Sequence, residues 1–366
     1  MKNIPVKNRL ICIFLLFAFF SVAFSQSPYT GFHPGRLWLD NNHTHINAHG
    51  GGILFFNDTY YWFGEHKTSG SSGNTALVGF HCYSSKDLYN WKDEGIALEA
   101  SHDPNSPIVQ GCIMERPKVV YNKKTEKFVM WFHHELKGKG YNTARCAVAV
   151  SDNVTGPYAF VKSIRPDANT WPANITEGQK QDKSLQFVTG YSTGQDSRDM
   201  TIFVDDDGTA YHIYSSEDNR TTHISQLSPD YFNHSGKYIR VFIDRYMEAH
   251  TLFKNNGKYY FIASGCTGWS PNAARSAVAD SIWGPWKELG NPCRGSQQQN
   301  EITFESQSTF VLPIHSKPGC FIFLADRWNP SNPVDGRYIW LPIEWEDEKP
   351  VIKWHDHWDL SFFDNL

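Results

Sequence analysis

Asp199-Met200-Thr201-Ile202-Phe203-Val204-Asp205-Asp206-Asp207-Gly208-Thr209-Ala210-Tyr211-His212-Ile213-Tyr214 is a short apolar strand, a tight polar turn and an aromatic-rich strand, with an acid in front. Asp and Gly tolerate the backbone of tight turns, while β-branched and aromatic side chains fit a pleated, half-buried surface, so the run predicts a hairpin. The three consecutive aspartates have neither the loop length nor the closing Glu of an EF-hand, which leaves a turn as their role.

The same form recurs along the 366-residue chain. Ile53-Leu54-Phe55-Phe56 turns through Asn57-Asp58-Thr59 into Tyr60-Tyr61-Trp62-Phe63, and Leu252-Phe253-Lys254 turns through Asn255-Asn256-Gly257-Lys258 into Tyr259-Tyr260-Phe261-Ile262. Five copies occur, each preceded by a side chain able to do chemistry: His49 before 52–65, Glu115 before 117–133, Asp199 before 200–214, Glu248 before 251–264 and Gln307 before 309–325. Outer halves repeat as well. Compare 81–91, 147–158 and 276–286, where a strand runs into a Ser/Ala-Asp turn and an aromatic strand start, with 223–230 a looser copy. With closing strands at 338–345 and 351–354, the pattern predicts an all-β chain of five four-stranded blades, a five-bladed β-propeller filling 26–366 as one domain. A radial repeat sets equivalent positions around one axis, so the five preceding residues should converge on one pocket.

Residues 1–25 have a basic start, an apolar run over 10–20 and small residues near Ser25, the form of a secretory signal peptide and not of a membrane span. The expected product is a secreted or periplasmic monomer. Beyond Cys12, the six cysteines Cys82, Cys112, Cys146, Cys266, Cys293 and Cys320 form no CxxC pair or tight Cys/His cluster, so no metal site and no cofactor is expected. Cys82 and Cys146 lie in strand-like runs and read as small buried apolar groups. A net charge of −4 without basic blocks argues against nucleic acid as a partner. Thirteen Trp suit sugar stacking, although most aromatics in such a chain serve the core. Sequons such as Asn219-Arg220-Thr221 signify glycosylation only in a eukaryotic secretory pathway. The long irregular stretch 164–197, just ahead of Asp199, reads equally as a substrate-shaping lid or a passive insertion.

Two carboxylates at equivalent starts of inner strands, Glu115 and Glu248, can face one another across the pocket, and glycoside hydrolysis needs one carboxyl to protonate the leaving oxygen and a second group to serve water or the sugar. The ordered set Ile46-Asn47-Ala48-His49-Gly50-Gly51-Gly52, Tyr61-Trp62-Phe63-Gly64-Glu65, Glu115-Arg116-Pro117-Lys118-Val119, Arg198-Asp199-Met200, Glu248-Ala249-His250, Ser264-Gly265-Cys266-Thr267-Gly268-Trp269 and Ser306-Gln307-Ser308 resembles glycoside hydrolase family 43, closest to its exo-β-1,3-galactanase and β-galactosidase branch. The resemblance runs from about His43 to the C-terminus. It implies an exo-acting, inverting hydrolase that releases terminal β-linked galactose from galactan or arabinogalactan side chains, with an oligosaccharide or polysaccharide as substrate. An α-L-arabinofuranosidase or β-xylosidase of the same family is the alternative within the class, and a glycan-binding propeller without catalysis the alternative outside it.

The resemblance makes Glu248 the general acid and Glu115 the carboxylate that tunes the acid and orients the sugar. Most of the family carries its base, an Asp, in the first blade, where this chain reads Asn47-Ala48-His49. In the galactanase branch a Gln matching Gln307 takes that place, either as its imidic tautomer or by positioning water. Glu305, His49 and His250 are the rival bases. Glu65, Tyr141, Asp199, Thr267 and Trp269 resemble positions that line the sugar site.

Overall fold

The computed structural model describes residue 1 and residues 29–365, so the predicted export signal lies outside the described residues apart from Met1. Five sheets form the predicted propeller. Blade I is β1 (His49–Phe56), β2 (Thr59–Lys67), β3 (Leu77–Ser85) and β4 (Lys92–Glu99). Blade II is β5 (Ile113–Asn122), β6 (Lys127–Glu135), β7 (Arg145–Ser151) and β8 (Ala159–Ile164). Blade III is β9 (Met200–Val204), β10 (Ala210–Ser216), β11 (Thr221–Leu227) and β12 (His234–Val241). Blade IV is β13 (Met247–Asn255), β14 (Lys258–Gly265), β15 (Arg275–Ala279) and β16 (Lys287–Gly290). On the way to blade V the chain forms β17 (Cys293–Arg294), then β18 (Gln307–Pro313), β19 (Phe321–Arg327), β20 (Arg337–Glu346) and β21 (Lys349–Lys353). Four strands were expected here; β17 adds a fifth by pairing parallel to β21. The innermost strands touch in a ring, β1 to β5 to β9 to β13 to β18 and back to β1.

The inner hairpins turn as their residues dictate. Asn57 and Asp58 both have positive φ, as do Asn256 and Gly257, the backbone of the type I′ turn whose twist matches paired strands. Asp205 accepts hydrogen bonds from Lys254 Nζ at 2.6 Å and Tyr259 Oη at 2.5 Å, so that aspartate turn fastens blade III to blade IV.

Among the described residues no blade borrows a strand from the other end of the chain, so the ring closes by packing and a few hydrogen bonds. Phe32 and Trp358 exchange backbone hydrogen bonds of 2.7 and 3.2 Å, and Tyr338 Oη donates to Ile46 O at 2.8 Å while accepting from Ala48 N at 2.9 Å. Trp38, Trp62, Trp91 and Trp340 fill the seam between blades I and V, with Trp62 and Trp340 centroids 4.8 Å apart. Much of the unusual Trp content therefore closes the propeller and does not meet sugar.

The stretch 164–197 lies against the outer strand of blade III. Ala173 N donates to Tyr238 O at 2.8 Å, Asn174 brackets the backbone of Arg240, and the Arg240 guanidinium sits 4.1 Å over the Phe187 ring. Its exit supplies Arg198 and Asp199 to the central cavity. The six cysteines among the described residues are unpaired, with Cys82 and Cys146 fully buried in strands. Among the described residues no helix is long and apolar enough to cross a membrane.

Candidate active site

Three inner strands begin with a bulge at the residue after the chemistry-bearing side chain. The register slips between His49 and Gly52, between Glu115 and Lys118 and between Glu248 and Thr251, and Gly50, Arg116 and Ala249 take φ of 61°, 56° and 58°. An extra residue in one strand re-aims the local side chains and leaves an amide outside the ladder. Each such amide is claimed by a carboxylate of the preceding blade: Gly50 N by Asp326 Oδ2 at 2.6 Å, Arg116 N by Glu65 Oε1 at 3.0 Å and Ala249 N by Asp199 Oδ2 at 2.9 Å.

These strand starts surround a cavity of about 290 Å³. Of the residues singled out in the sequence, Glu65, Glu115, Tyr141, Asp199, Glu248, Trp269 and Gln307 line it. Thr267 does not. Its hydroxyl donates to Ser270 O at 2.5 Å and accepts from Asn272 Nδ2 at 2.7 Å, so it braces its own loop. Gly268 and the side chains of Asn74, Arg116, His133, Arg198, Asn219 and Trp328 complete the wall and were not anticipated as lining residues.

Arg116 organises the floor. Its Nε pairs with Asp199 Oδ2 at 2.8 Å, its Nη2 donates to Gln307 Oε1 at 2.7 Å and its Nη1 to Ser308 O at 2.9 Å. Burial works against its charge, but the surrounding Asp199, Glu65, Glu115 and Glu248 hold it above the ordinary arginine value. In return Asp199 stays below the usual carboxylate range, because Arg116 and His133 outweigh the cost of its burial.

Glu248 behaves oppositely. Burial, then the like charge of Asp199, pushes its carboxyl up to about 7 against the pull of Arg116, and Glu115 adds a smaller push. The tuning thus comes chiefly from burial and Asp199 and less from Glu115. Asn219 Nδ2 donates to Glu248 Oε1 at 2.8 Å, and the Cys266 thiol also touches the carboxyl. Glu115 accepts from Tyr141 Oη at 2.6 Å and meets His133 Nδ1 at 2.9 Å. Burial opposes a charge on His133, yet contacts with Glu115 and Glu135 raise it to about 9. Glu115, His133 and Asp199 bring ligand atoms within 4.8 Å of one another, but a protonated His133 between two carboxylates fills that place with a cation already. The group Cys146, His212 and His234 lies away from the cavity, where the two rings share a hydrogen bond of 3.1 Å.

Among the rival bases, His49 lies beneath the cavity wall, its ring 5.5 Å from Trp328 and 5.6 Å from Tyr338, over Gly336, where a Cβ would come within 2.0 Å of it. Burial takes it down to about 3. His250, taken down to about 4 by burial, is satisfied by Asp199 O at 3.1 Å and Thr222 Oγ1 at 3.0 Å. Glu305 turns outward to Arg327 at 3.5 Å with its side chain 61% exposed. Gln307 is held at both ends. Because a guanidinium only donates, the amide oxygen faces Arg116, and Nε2 donates to Ser264 Oγ at 3.0 Å. Its remaining N–H and oxygen lone pair suit it to orienting water.

The sequence profile of glycosyl hydrolases family 43 matches residues 52–350. A solved family 43 β-1,3-galactosidase with galactodeoxynojirimycin is 50% identical, over 90% of this chain and 100% of that one, with a TM-score of 0.86. The exo-β-1,3-galactanase of Phanerochaete chrysosporium, solved with β-1,3-galactotriose, is 32% identical over 91% of this chain and 68% of its own, with a TM-score of 0.76. That of Clostridium thermocellum is 33% identical over 89% and 66%, also with a TM-score of 0.76. A curated β-D-galactofuranosidase of Aspergillus niger matches at 30% identity over 136 residues, 34% of this chain and 39% of that protein's length.

Proposed function

Because the chain belongs to glycoside hydrolase family 43, we propose that it removes terminal β-linked galactose from galactan or arabinogalactan side chains by single displacement with inversion. The observation that carries this is Glu248, a carboxyl kept protonated up to about pH 7 in the wall of a cavity of about 290 Å³. An acid must hold its proton at the working pH to give it to a leaving oxygen. The cavity is at the lower bound of small-molecule sites, about 300–1,000 Å³, which suits a chain end more than an internal run of sugars.

In this reading Glu248 protonates the glycosidic oxygen, and Glu115, fixed by Tyr141 and His133, holds the sugar. Gln307 orients the attacking water. Glu65 and Asp199 shape the polar floor, and Trp269, 43% exposed at the rim beside Trp328, offers a stacking face. Galactose as the sugar is supported by the β-1,3-galactosidase at 50% identity. Residues 1–25 would direct export of a monomeric mature enzyme, which N-terminal sequencing and sedimentation of the natural product would check.

The test is product analysis on β-1,3-, β-1,4- and β-1,6-galacto-oligosaccharides, with proton NMR of the first anomer released. Galactose appearing first as the α-anomer is expected. A retained anomer removes the mechanism, arabinose or xylose without galactose removes the sugar assignment, and saturable binding with no released monosaccharide removes the enzyme.

A further inference from the structure

The start of β1 itself brings no carboxylate to the cavity, since His49 is neutral and buried there, and Glu65 opposite it on β2 is tied up by Lys67 Nζ and Arg116 N. A further carboxylate does reach that place from blade V, the blade before it in the ring. We propose that Asp326 accepts the proton of the attacking water across a small side cavity behind Gln307, an inference that rests on the hydrolytic reading above.

Three observations meet on this residue. Asp326 and Gln307 are cross-strand partners of β19 and β18, so their side chains leave the same face of the sheet. Both line a second cavity of about 30 Å³, which shares Gln307, Gly268, Trp269 and Trp328 with the sugar cavity. That volume exceeds the roughly 10–15 Å³ that one water needs, and Asn272, Glu305 and Ser306 add polar groups to its lining. Lastly, Asp326 is 2% exposed and among the described residues no lysine or arginine pairs with it. Its Oδ2 accepts from Gly50 N at 2.6 Å, and among the described residues its one ion-pair neighbour is His49 Nδ1 at 3.9 Å.

The other carboxylates that hold bulge amides differ. Glu65 has Lys67 Nζ at 2.6 Å and Asp199 has Arg116 Nε at 2.8 Å, so each has a cation paired directly with it. The groups facing Asp326 are Gly50 and His49 from β1, Glu65 from β2, Arg116 and Lys118 from β5 and Tyr338 from β20. Burial pushes its carboxyl up to about 7, with Glu65 adding to the effect and Gly50 N, Arg116 and Lys118 opposing it. Such a group takes up and loses a proton near neutrality, where a general base is most effective.

The step balances with one intervening water. The attacking water, oriented by Gln307, forms its bond to the anomeric carbon as one of its O–H bonds breaks. That proton passes to the side-cavity water, which hands one of its own to Asp326. The bond from the anomeric carbon to the glycosidic oxygen breaks, and the proton of Glu248 ends on that oxygen. Exchange with solvent then empties Asp326 and refills Glu248.

The test is Asp326→Asn in the full-length enzyme, a change that keeps an oxygen for Gly50 N–H. Rates are followed between about pH 5 and 9 on β-1,3-galactobiose and on β-galactosyl fluoride, whose leaving group needs little acid assistance. The expected result is a kcat loss of about 10²–10⁴-fold on both substrates with KM little changed, and disappearance of the acid-side fall in rate near pH 7. A kcat within about threefold of wild type, or the same loss in Glu305→Gln with Asp326→Asn active, overturns the proposal. If Asp326→Asn does not fold, wild type on the fluoride decides: the rate must fall as pH drops through about 7, and a flat profile to about pH 5 overturns it. Wild type that releases no galactose with inversion instead removes the hydrolytic reading, whatever Asp326 does.

Discussion

Replacing Glu248 with Gln is the sharpest perturbation of the proposed chemistry, because the structure predicts what it leaves intact as well as what it removes. Moving a carboxyl from its ordinary 4.5 to about 7 favours the protonated form by about 3 kcal/mol. At slightly acid pH the side chain is therefore already neutral, and Gln replaces it with another neutral group of the same shape. Its amide oxygen can still accept from Asn219 Nδ2, now at 2.8 Å from Glu248 Oε1. Thermal unfolding should shift by no more than a degree or two, about what a surface-scale change of 0.5 kcal/mol produces. Catalysis has no such substitute, since an amide cannot deliver a proton to a sugar oxygen. On β-1,3-galactobiose kcat should fall about 10²–10⁴-fold, equivalent to about 3–5 kcal/mol of lost transition-state stabilisation. On a dinitrophenyl galactoside, whose leaving group departs unaided, the loss should shrink to less than about tenfold. Wild type should keep about a tenth of its activity one pH unit above the acid's value near 7, and this alkaline fall should be missing from the variant on the activated substrate. A folded variant with near wild-type turnover of galactobiose would remove Glu248 from the acid role.

Three further outcomes test the frame around the site. Lys67→Met leaves Glu65 as an uncompensated charge with both partners 1% exposed, which should cost about 3–5 kcal/mol in urea unfolding, with much of the loss recovered when Glu65 is replaced by Leu in the same chain. Trp340→Ala opens the seam between blades I and V and should cost about 3–5 kcal/mol by the same assay; an unchanged midpoint would contradict closure by packing. Glu217, buried against Arg240 and His223, is held down to about 2 because those contacts outweigh its burial. Its folded value lies below its unfolded one, so its stabilisation is fully present above about pH 4.5 and is lost as pH falls towards 2. Urea unfolding across that window should show a shallower pH slope for Glu217→Gln than for wild type.

The repeat units were legible because each inner hairpin carries its own turn chemistry and strand period, signals that need no tertiary context. The same units placed five side chains at the strand starts, and four of them, Glu115, Asp199, Glu248 and Gln307, line the cavity. His49 starts its strand too but turns under the wall, because Gly336 opens a slot that its ring fills. Glu65, opposite His49 on the second strand, was legible through its motif, but the other second-strand partners escaped: His133 opposite Glu115, Ser264 opposite Glu248 and Asp326 opposite Gln307. The fifth sequence unit, 309–325, stops one residue short of Asp326. Arg116 was visible only as part of a motif, since its reach across three blades depends on the left-handed backbone at a bulge. Asn219, noticed as a sequon, contacts Glu248 because Glu217, Asp218 and Asn219 all take positive φ and swing it inward. No local pattern announces such a turn.

The bulges explain why charge collects at one end of this axis. A bulged strand start leaves its amide unpaired, and an unpaired buried amide costs about 1–3 kcal/mol unless something accepts from it. A carboxylate from the blade before is the acceptor in blades I, II and IV, so the stitching that joins blades also delivers negative charge to the cavity floor. Uncompensated, those charges would repel one another and destabilise the ring. Lys67 and Arg116 neutralise two of them, and Arg116 then fixes Gln307 with the same guanidinium. Among the described residues no lysine or arginine pairs with Asp326, so burial leaves its carboxyl gaining and losing its charge near neutrality. Structural need and chemical use coincide at that joint, which is why removing the Asp326 charge while keeping an oxygen for Gly50 separates them.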